Sequence, residues 1–298
     1  MLASKKIANN LFDITKVSYK DIPKNIDIFT YSFPCQDLSI QGKQKGMAKN
    51  SNTRSGLLWE VERIFKDINK NFKQTEKPKY LLLENVKNIV SQKHIDSYNL
   101  WLIFLEKIGY VSKTYILNSS NFGSAQNRER VFCLSVRKDF KEKIKFNFPF
   151  FEKTKIQNKI LKNILLKKFN NDQYTLLNFD KFQLTNKKKS NSGIYKSTLK
   201  NYTNFHSEAY VYYPSGIGPT LTASGANSRL KIVFNNNQKK PKIRYMQPIE
   251  AYQYMGFDIN DYEKVKKTKL LSDTKIIYTA GNSISVEILK EIFKNLVF

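Results

Sequence analysis

A cysteine stands in the run Tyr31-Ser32-Phe33-Pro34-Cys35-Gln36, directly behind the largely apolar segment Ile26-Asp27-Ile28-Phe29-Thr30. A thiol on the turn that leaves a buried strand is held at a sheet end, where α/β enzymes bind their substrates. Deprotonated, it is a covalent nucleophile. A second apolar segment, Tyr80-Leu81-Leu82-Leu83, ends at Glu84-Asn85-Val86. A carboxyl group on a neighbouring strand end can give or share a proton while a thiolate adds to an electron-poor carbon. Burial is expected to raise the pKa of Glu84, so that it holds a proton at neutral pH. Arg128 and Arg130 follow in Gln126-Asn127-Arg128-Glu129-Arg130. A cationic neighbour of this kind lowers a thiol pKa.

These groups need strands and helices to place them. Residues 5–22 read as a short helix and a short strand, Asn10-Leu11-Phe12-Asp13-Ile14. Residues 26–33 read as a strand buried on both faces. A glycine-containing loop, Gln41-Gly42-Lys43-Gln44-Lys45-Gly46, comes next. Leu57, Leu58, Val61, Ile64 and Phe65 recur at helical spacing, which predicts a helix over 55–70. A second amphipathic helix is expected over 94–108, with strands at Val111–Leu117 and Val131–Val136. Strands alternating with helices imply βαβ units and a mainly parallel sheet.

From about residue 150 lysine-rich and asparagine-rich runs alternate with short aromatic strands such as Tyr210-Val211-Tyr212-Tyr213. Helical patterns return at 246–256 and 284–297. Three regions are therefore expected: 1–148 with the chemistry, 149–242 as a smaller and irregular domain, and 243–298 returning to the first.

The chain has 298 residues, 41% of them hydrophobic, so a packed core is possible. Lys and Arg number 51 against 25 Asp and Glu, a net charge of +26. Such an excess fits a polyanionic partner. Two cysteines make no disulfide framework, and the reducing cytoplasm is the expected compartment. His94 and His206 read as surface or polar-contact residues, and no cluster has metal-ligand spacing. Cys133, inside Val131-Phe132-Cys133-Leu134, reads as core filler. No apolar stretch of about 18 residues predicts a membrane span, and Met1–Lys6 does not lead into a signal-peptide core.

The ordered set resembles the C5-cytosine-specific DNA methyltransferases. Pro34-Cys35-Gln36, Glu84-Asn85-Val86 and Gln126-x-Arg128-x-Arg130 are three of the family's motifs. Arg244-Tyr245-Met246-Gln247-Pro248-Ile249-Glu250 resembles the ninth and Gly281-Asn282-Ser283-Ile284-Ser285-Val286 the tenth. The resemblance covers most of the chain and implies an α/β, Rossmann-like fold that uses S-adenosylmethionine, with a smaller target-recognition domain. It implies Cys35 as the nucleophile at cytosine carbon 6 and Glu84 as the acid at ring nitrogen 3. Arg130 would contact the 2-oxygen, and Arg128 would support the active-site loop or a phosphate. Asp13, Ile14, Pro34, Asn282 and Ser283 would meet the cofactor. The substrate would be double-stranded DNA with its cytosine flipped out of the stack, since a stacked ring cannot be attacked.

Target reading is expected within 150–240, where Gly218-Pro219-Thr220-Leu221-Thr222-Ala223-Ser224-Gly225-Ala226-Asn227-Ser228-Arg229 is rich in small donors and ends in arginine. An arginine can pair bidentately with guanine. Thr222, Ser224, Ser228 and Arg229 are the candidate contacts here, with Gln36, Ser39 and Gln41 in the cysteine loop. This segment looks most like that of bacterial enzymes methylating CG dinucleotides.

No Phe-x-Gly-x-Gly turn, with which the family opens, precedes Cys35. The resemblance therefore implies an incomplete catalytic domain with an apolar unpaired edge at 26–33. A second polypeptide supplying the missing half, a truncated gene product and a misplaced start codon each account for this. A DNA-binding remnant without catalysis is the alternative function. A cysteine hydrolase is disfavoured, because no histidine lies where a base is needed.

Overall fold

Tyr80-Leu81-Leu82-Leu83 is apolar throughout because it forms the central part of a sheet. The computed structural model describes residues 10–35, 37–38, 46–49, 53–151, 159–167, 174, 182–234 and 242–298. The described residues group into two units, one of 10–117, 129–150 and 295–298, the other of 118–128 and 151–294.

The first unit carries β1 (Ile28–Tyr31), α1 (Leu58–Asn71), β2 (Tyr80–Val86), α2 (Ile95–Lys107), β3 (Tyr110–Asn118), β4 (Glu129–Arg137) and α3 (Lys138–Lys143). Its sheet has the order β1-β2-β4-β3, which leaves β1 at an edge among the described residues. β1 runs parallel to β2, with Tyr31 opposite Leu83. β4 runs antiparallel to β2, with Glu84 opposite Phe132 and Val86 opposite Arg130. The expected mainly parallel sheet is thus corrected to a mixed one.

α1 turns Leu58, Val61, Ile64 and Phe65 into the core, as their spacing predicts, and Ile68 with them. α2 buries Tyr98, Trp101, Phe104 and Leu105, and the Trp101 indole donates to the Tyr31 hydroxyl at 3.0 Å. Cys133 lies fully inside this core, and burial pushes its thiol pKa up. His94, expected as a surface or polar-contact residue, is buried, and among the described residues its Nε2 makes no hydrogen bond. The strand expected at 10–14 is also absent. Phe12 takes a positive φ of 58°, and the Asp13 side chain accepts from the Thr15 backbone N–H, starting a single turn over Ile14–Lys16. Aspartate favours such local bonding over an extended ladder.

The second unit holds α4 (Leu161–Ile164), β5 (Gln183–Leu184), β6 (Lys188–Lys189), β7 (Tyr195–Lys200), β8 (Tyr210–Tyr212), β9 (Lys231–Phe234) and β10 (Lys242–Tyr245). α5 (Pro248–Tyr254), α6 (Ile259–Lys267), α7 (Asp273–Gly281) and α8 (Val286–Lys294) follow. Its sheet runs β10-β9-β8-β7-β5, with β6 also on β7. Ala251, Tyr254, Met255, Ile276 and Ala280 bury against Leu221, Leu230 and Ile232, so α5 and α7 share a core with the recognition segment. Only 295–298 fall with the first unit. α6 and α7 are additional to the helices read from the sequence. Their caps, Asp258 and Ser272, are visible there in retrospect.

A fully buried pair ties β10 to α5. Arg244 gives two parallel bonds to Glu250, at 2.7 and 2.6 Å. The same carboxylate also accepts the Gln247 and Leu166 backbone N–H groups, so its charge is paired and hydrogen-bonded, as burial requires. Among the described residues no helix is long and apolar enough to cross a membrane, and no group of His, Cys, Asp and Glu could hold a metal ion.

Candidate active site

Three chemistry-bearing side chains come together in the first unit because of the sheet's mixed topology. β1 and β2 are parallel, so both deliver their carboxyl ends to one edge, the edge at which α/β sites form. Glu84 lies near the end of β2, and Cys35 lies on the turn after β1. β4 runs the opposite way, so its amino end meets the same edge and brings Arg130 beside Glu84. Arg130 Nε stands 3.3 Å from Glu84 Oε1, with 17% and 12% of the two side chains exposed.

Three successive carbonyls hold the cysteine turn. The Asn85 amide donates to the Phe33 carbonyl at 3.1 Å, and the Ser55 hydroxyl to the Pro34 carbonyl at 2.6 Å. The Leu38 N–H donates to the Cys35 carbonyl at 3.0 Å. The Ser32 hydroxyl joins the two strand ends by donating to the Glu84 carbonyl at 2.8 Å. Asp37 closes the turn from the far side, accepting the Arg54 N–H at 2.9 Å. A nucleophile whose own backbone is fixed in this way needs little reorganisation before attack. Asp37 and Ser55 were missed as positioning residues, since nothing in their spacing marks them; Asn85 stood within a motif, without a role.

Burial pushes the Arg130 guanidinium below its ordinary pKa, while Glu84 and Cys35 pull it back up. Both therefore lie within electrostatic reach of this one cation. Sequence reasoning expected burial to keep a proton on Glu84. The structure adds an arginine partner, with Arg130 Nε beside Glu84 Oε1.

Arg128, expected to support the active-site loop or a phosphate, belongs to the second unit, where it is almost fully buried. Its guanidinium donates to the carbonyls of Leu221 at 2.8 Å, Ser283 at 2.8 Å and Gly281 at 3.3 Å. With five donors on a planar fork, arginine suits this bracing of several carbonyls at once. It clamps the start of the recognition segment to the end of α7. Gln126 works beside it, giving its amide to the Tyr254 carbonyl at 3.1 Å and taking the Leu221 N–H at 2.9 Å. Glycine is required twice at this clamp. A Cβ on Gly218 would collide with the Tyr254 hydroxyl, and one on Gly281 with the Thr222 backbone.

The candidate cofactor contacts fall in both units. In the first, Asp13 is exposed and its Oδ1 takes both bonds from Thr15, at 3.0 and 2.8 Å, which leaves Oδ2 to accept. Those bonds lower its pKa, the Thr15 hydroxyl most. In the second unit, Asn282 ends α7 with its side chain exposed, and the Ser283 hydroxyl donates to the Ala280 carbonyl at 2.6 Å.

Among the candidate DNA contacts, Gln36, Ser39 and Gln41 lie outside the described residues. The Thr222 hydroxyl donates to the Ser224 carbonyl at 2.7 Å, and the Ser228 hydroxyl to the Gly225 carbonyl at 2.7 Å. Both shape the loop from within. Gly225, with φ 79°, makes its tip. Ser224 and Arg229 are exposed.

A family model described as C-5 cytosine-specific DNA methylase matches residues 2–297. The orphan methyltransferase M.SssI of Spiroplasma monobiae is 45% identical over 287 residues, 96% of this chain and 69% of that protein. The type II methyltransferase M2.ScrFI of Lactococcus lactis subsp. cremoris is 34% identical over 298 residues, 99% of this chain and 73% of its own length. Among solved structures, the Entamoeba histolytica methyltransferase EhMeth superposes with a TM-score of 0.65 at 19% identity, covering 96% of this chain and 81% of that one. The S. pombe Dnmt2 methyltransferase gives 0.62 at 16% identity, with 96% and 83% covered. None of these matches adds support for a second polypeptide.

Proposed function

The chain belongs to the C-5 cytosine-specific DNA methylases, enzymes that use S-adenosylmethionine, and from that premise we propose that it methylates a flipped cytosine in CG through a covalent bond to Cys35. The observation that carries this reading is the grouping at one sheet edge of Cys35, on its thrice-bonded turn, with the Glu84–Arg130 pair.

Carbon 5 of cytosine is a weak nucleophile. In the proposed step the Cys35 thiolate forms a bond to carbon 6, the carbon 5–carbon 6 double bond opens, and its electron pair moves to carbon 5. Hydrogen bonding or protonation at ring nitrogen 3 eases that addition, and Glu84 supplies it. Arg130 holds the Glu84 carboxyl group in place at the sheet edge, and its remaining donors suit the ring's 2-oxygen. S-adenosylmethionine supplies the methyl group. Afterwards the carbon 5 proton leaves to a base, the sulfur–carbon bond breaks, and the Cys35 thiolate returns. Asp13 would meet the cofactor's adenine, Ile14 and Pro34 are further candidate contacts in the first unit, and Asn282 and Ser283 are candidate contacts carried by the second.

The second unit reads the target in this proposal. Arg229 stands at the exposed end of the recognition segment, where a guanidinium can meet the O6 and N7 edge of the CG guanine. The excess of positive charge adds affinity for phosphates without selecting sequence. Bacterial relatives and a DNA substrate support the cytoplasm as the place of action.

The test is incubation of the full chain with S-adenosylmethionine and a duplex bearing 5-fluorocytosine in CG. A protein–DNA adduct that survives denaturation, and that vanishes with Cys35→Ala, is expected. An adduct that persists in that variant overturns the role of Cys35. Bisulfite sequencing of treated DNA reads the target, and conversion-resistant cytosines outside CG would overturn the CG assignment.

A further inference from the structure

The second unit treats three of its arginines in two different ways. Arg128 has its guanidinium occupied by three main-chain carbonyls. Arg244 has its own locked onto Glu250. Arg229 is exposed, and among the described residues it makes no hydrogen bond or ion pair. It is nonetheless held, for its guanidinium carbon lies 4.7 Å from the centre of the Tyr245 ring. A cation resting on a ring uses its face and leaves its N–H edge available. That is the arrangement a base-reading arginine needs, because bidentate pairing takes place at the edge.

The ring is itself fixed from behind. Tyr245 closes β10 and sits in register with Lys231 of β9. Its hydroxyl lies 3.4 Å from that of Tyr202, whose ring packs edge-on against Phe182 at 5.2 Å. Both tyrosines border the core of Leu199, Val211, Val233 and Ile243. The Lys231 ammonium stands 4.9 Å from the Tyr202 ring and 5.8 Å from the Tyr245 ring. It donates to the Glu208 carbonyl at 2.5 Å. Arg229 and Tyr245 also line a cleft of about 240 Å³ with Ala223, Ser228 and Met246 and, from α7, Asp273, Thr274 and Ile277, where the Asp273 carboxylate is taken by Lys266 and Tyr174.

We infer that Tyr245 is a positioning residue for target reading: its ring holds the Arg229 guanidinium edge-outward toward the guanine beside the target cytosine. The inference rests on the reading of Arg229 as the guanine contact. It places one determinant of selectivity in a strand that comes after the recognition loop, inside what the sequence shows as an arginine–tyrosine start to another motif.

The experiment compares methylation of two duplexes, one with guanine and one with 7-deazaguanine beside the target cytosine. The second lacks the N7 acceptor, so the ratio of kcat/KM values reports the bidentate contact alone. The full chain is expected to prefer guanine, and Tyr245→Phe, which keeps the ring, to retain that preference. Tyr245→Leu should cut the ratio roughly two- to five-fold, the weight of an exposed cation–π contact. Arg229→Ala should cut it roughly ten-fold or more, the weight of a bidentate pair. Tyr245→Met fills the strand position without a ring and reads the same contact if the leucine variant does not fold. An unchanged ratio in the Tyr245 variants, with loss in Arg229→Ala, overturns the positioning role and leaves the guanine contact standing. An unchanged ratio in Arg229→Ala overturns the guanine contact itself.

Discussion

The cysteine turn of the first unit and the recognition segment of the second are both irregular backbone, yet they are restrained in different ways. At the turn, three consecutive carbonyls are bound and the flanking strands meet through Ser32 and Glu84. In the recognition segment the stem is clamped by Gln126, Arg128 and the close approach of Gly281. Its far end, Arg229, is steadied by a ring contact. The contrast follows from what each must do. Bond making requires a nucleophile placed to within fractions of an ångström. Base reading tolerates a side chain that settles on its partner, provided its donors remain available.

Removing chemistry from the rigid site should have the largest effect. Cys35→Ala is expected to bring methyl transfer below detection while DNA affinity, measured by fluorescence anisotropy, stays within a few-fold of the parent. A large loss of affinity would instead mean that the turn belongs to the DNA-holding surface. Next comes Glu84→Gln, which keeps shape but cannot protonate the ring. A fall of roughly 10²–10⁴-fold in kcat is expected, the range of general acid catalysis. A variant rate within a few-fold of the parent would remove Glu84 from the mechanism.

The clamp should cost stability before it costs chemistry. Gly281→Ala forces a Cβ against the Thr222 backbone, and overpacking of this kind destabilises by about 1–3 kcal/mol. Urea denaturation would show it as a lowered midpoint. An unshifted midpoint would mean that the close approach relaxes freely.

The smallest effect concerns Lys231, whose pKa burial pushes down to about 8 from 10.5, against the raising influence of Glu208. Between those two values the unfolded chain holds the proton and the folded chain does not, so this group's contribution to stability rises with pH across that window. The penalty is full below about pH 8. Lys231→Met lacks it, so its stability advantage over the parent should shrink from pH 8 toward pH 10. Parallel stability curves for the two proteins would disprove it.

The parts legible in the sequence were those with local signatures. Helical spacing from Leu57 to Phe65 predicted α1, and the unbroken apolar run ahead of Glu84 predicted a buried strand. Cys35 and Glu84 could be singled out as candidates because strand ends are where residue type implies chemistry. The direction of β4 was hidden, because an antiparallel strand in a buried sheet has the same apolar composition as a parallel one. Arg128 and Arg130 looked equivalent two residues apart. Their separation depends on where the chain passes from one unit to the other, which no spacing rule encodes. Tyr245 was hidden for a similar reason, since a ring facing a cation sixteen positions earlier in the chain leaves no periodic trace.

The antiparallel run of β4 carries a consequence for how errors in folding would be felt. Arg130 lies opposite Val86 only in the native alignment. A slip of one position would move every β4 side chain to the opposite face, and in one direction it would bring Glu129 into the place of Arg130. Glu84 would then face another carboxylate. Misalignment would thus be penalised at the sheet edge by like-charge repulsion as well as by lost burial in the core, so the ion pair that readies the site also serves as a proofreader of strand alignment.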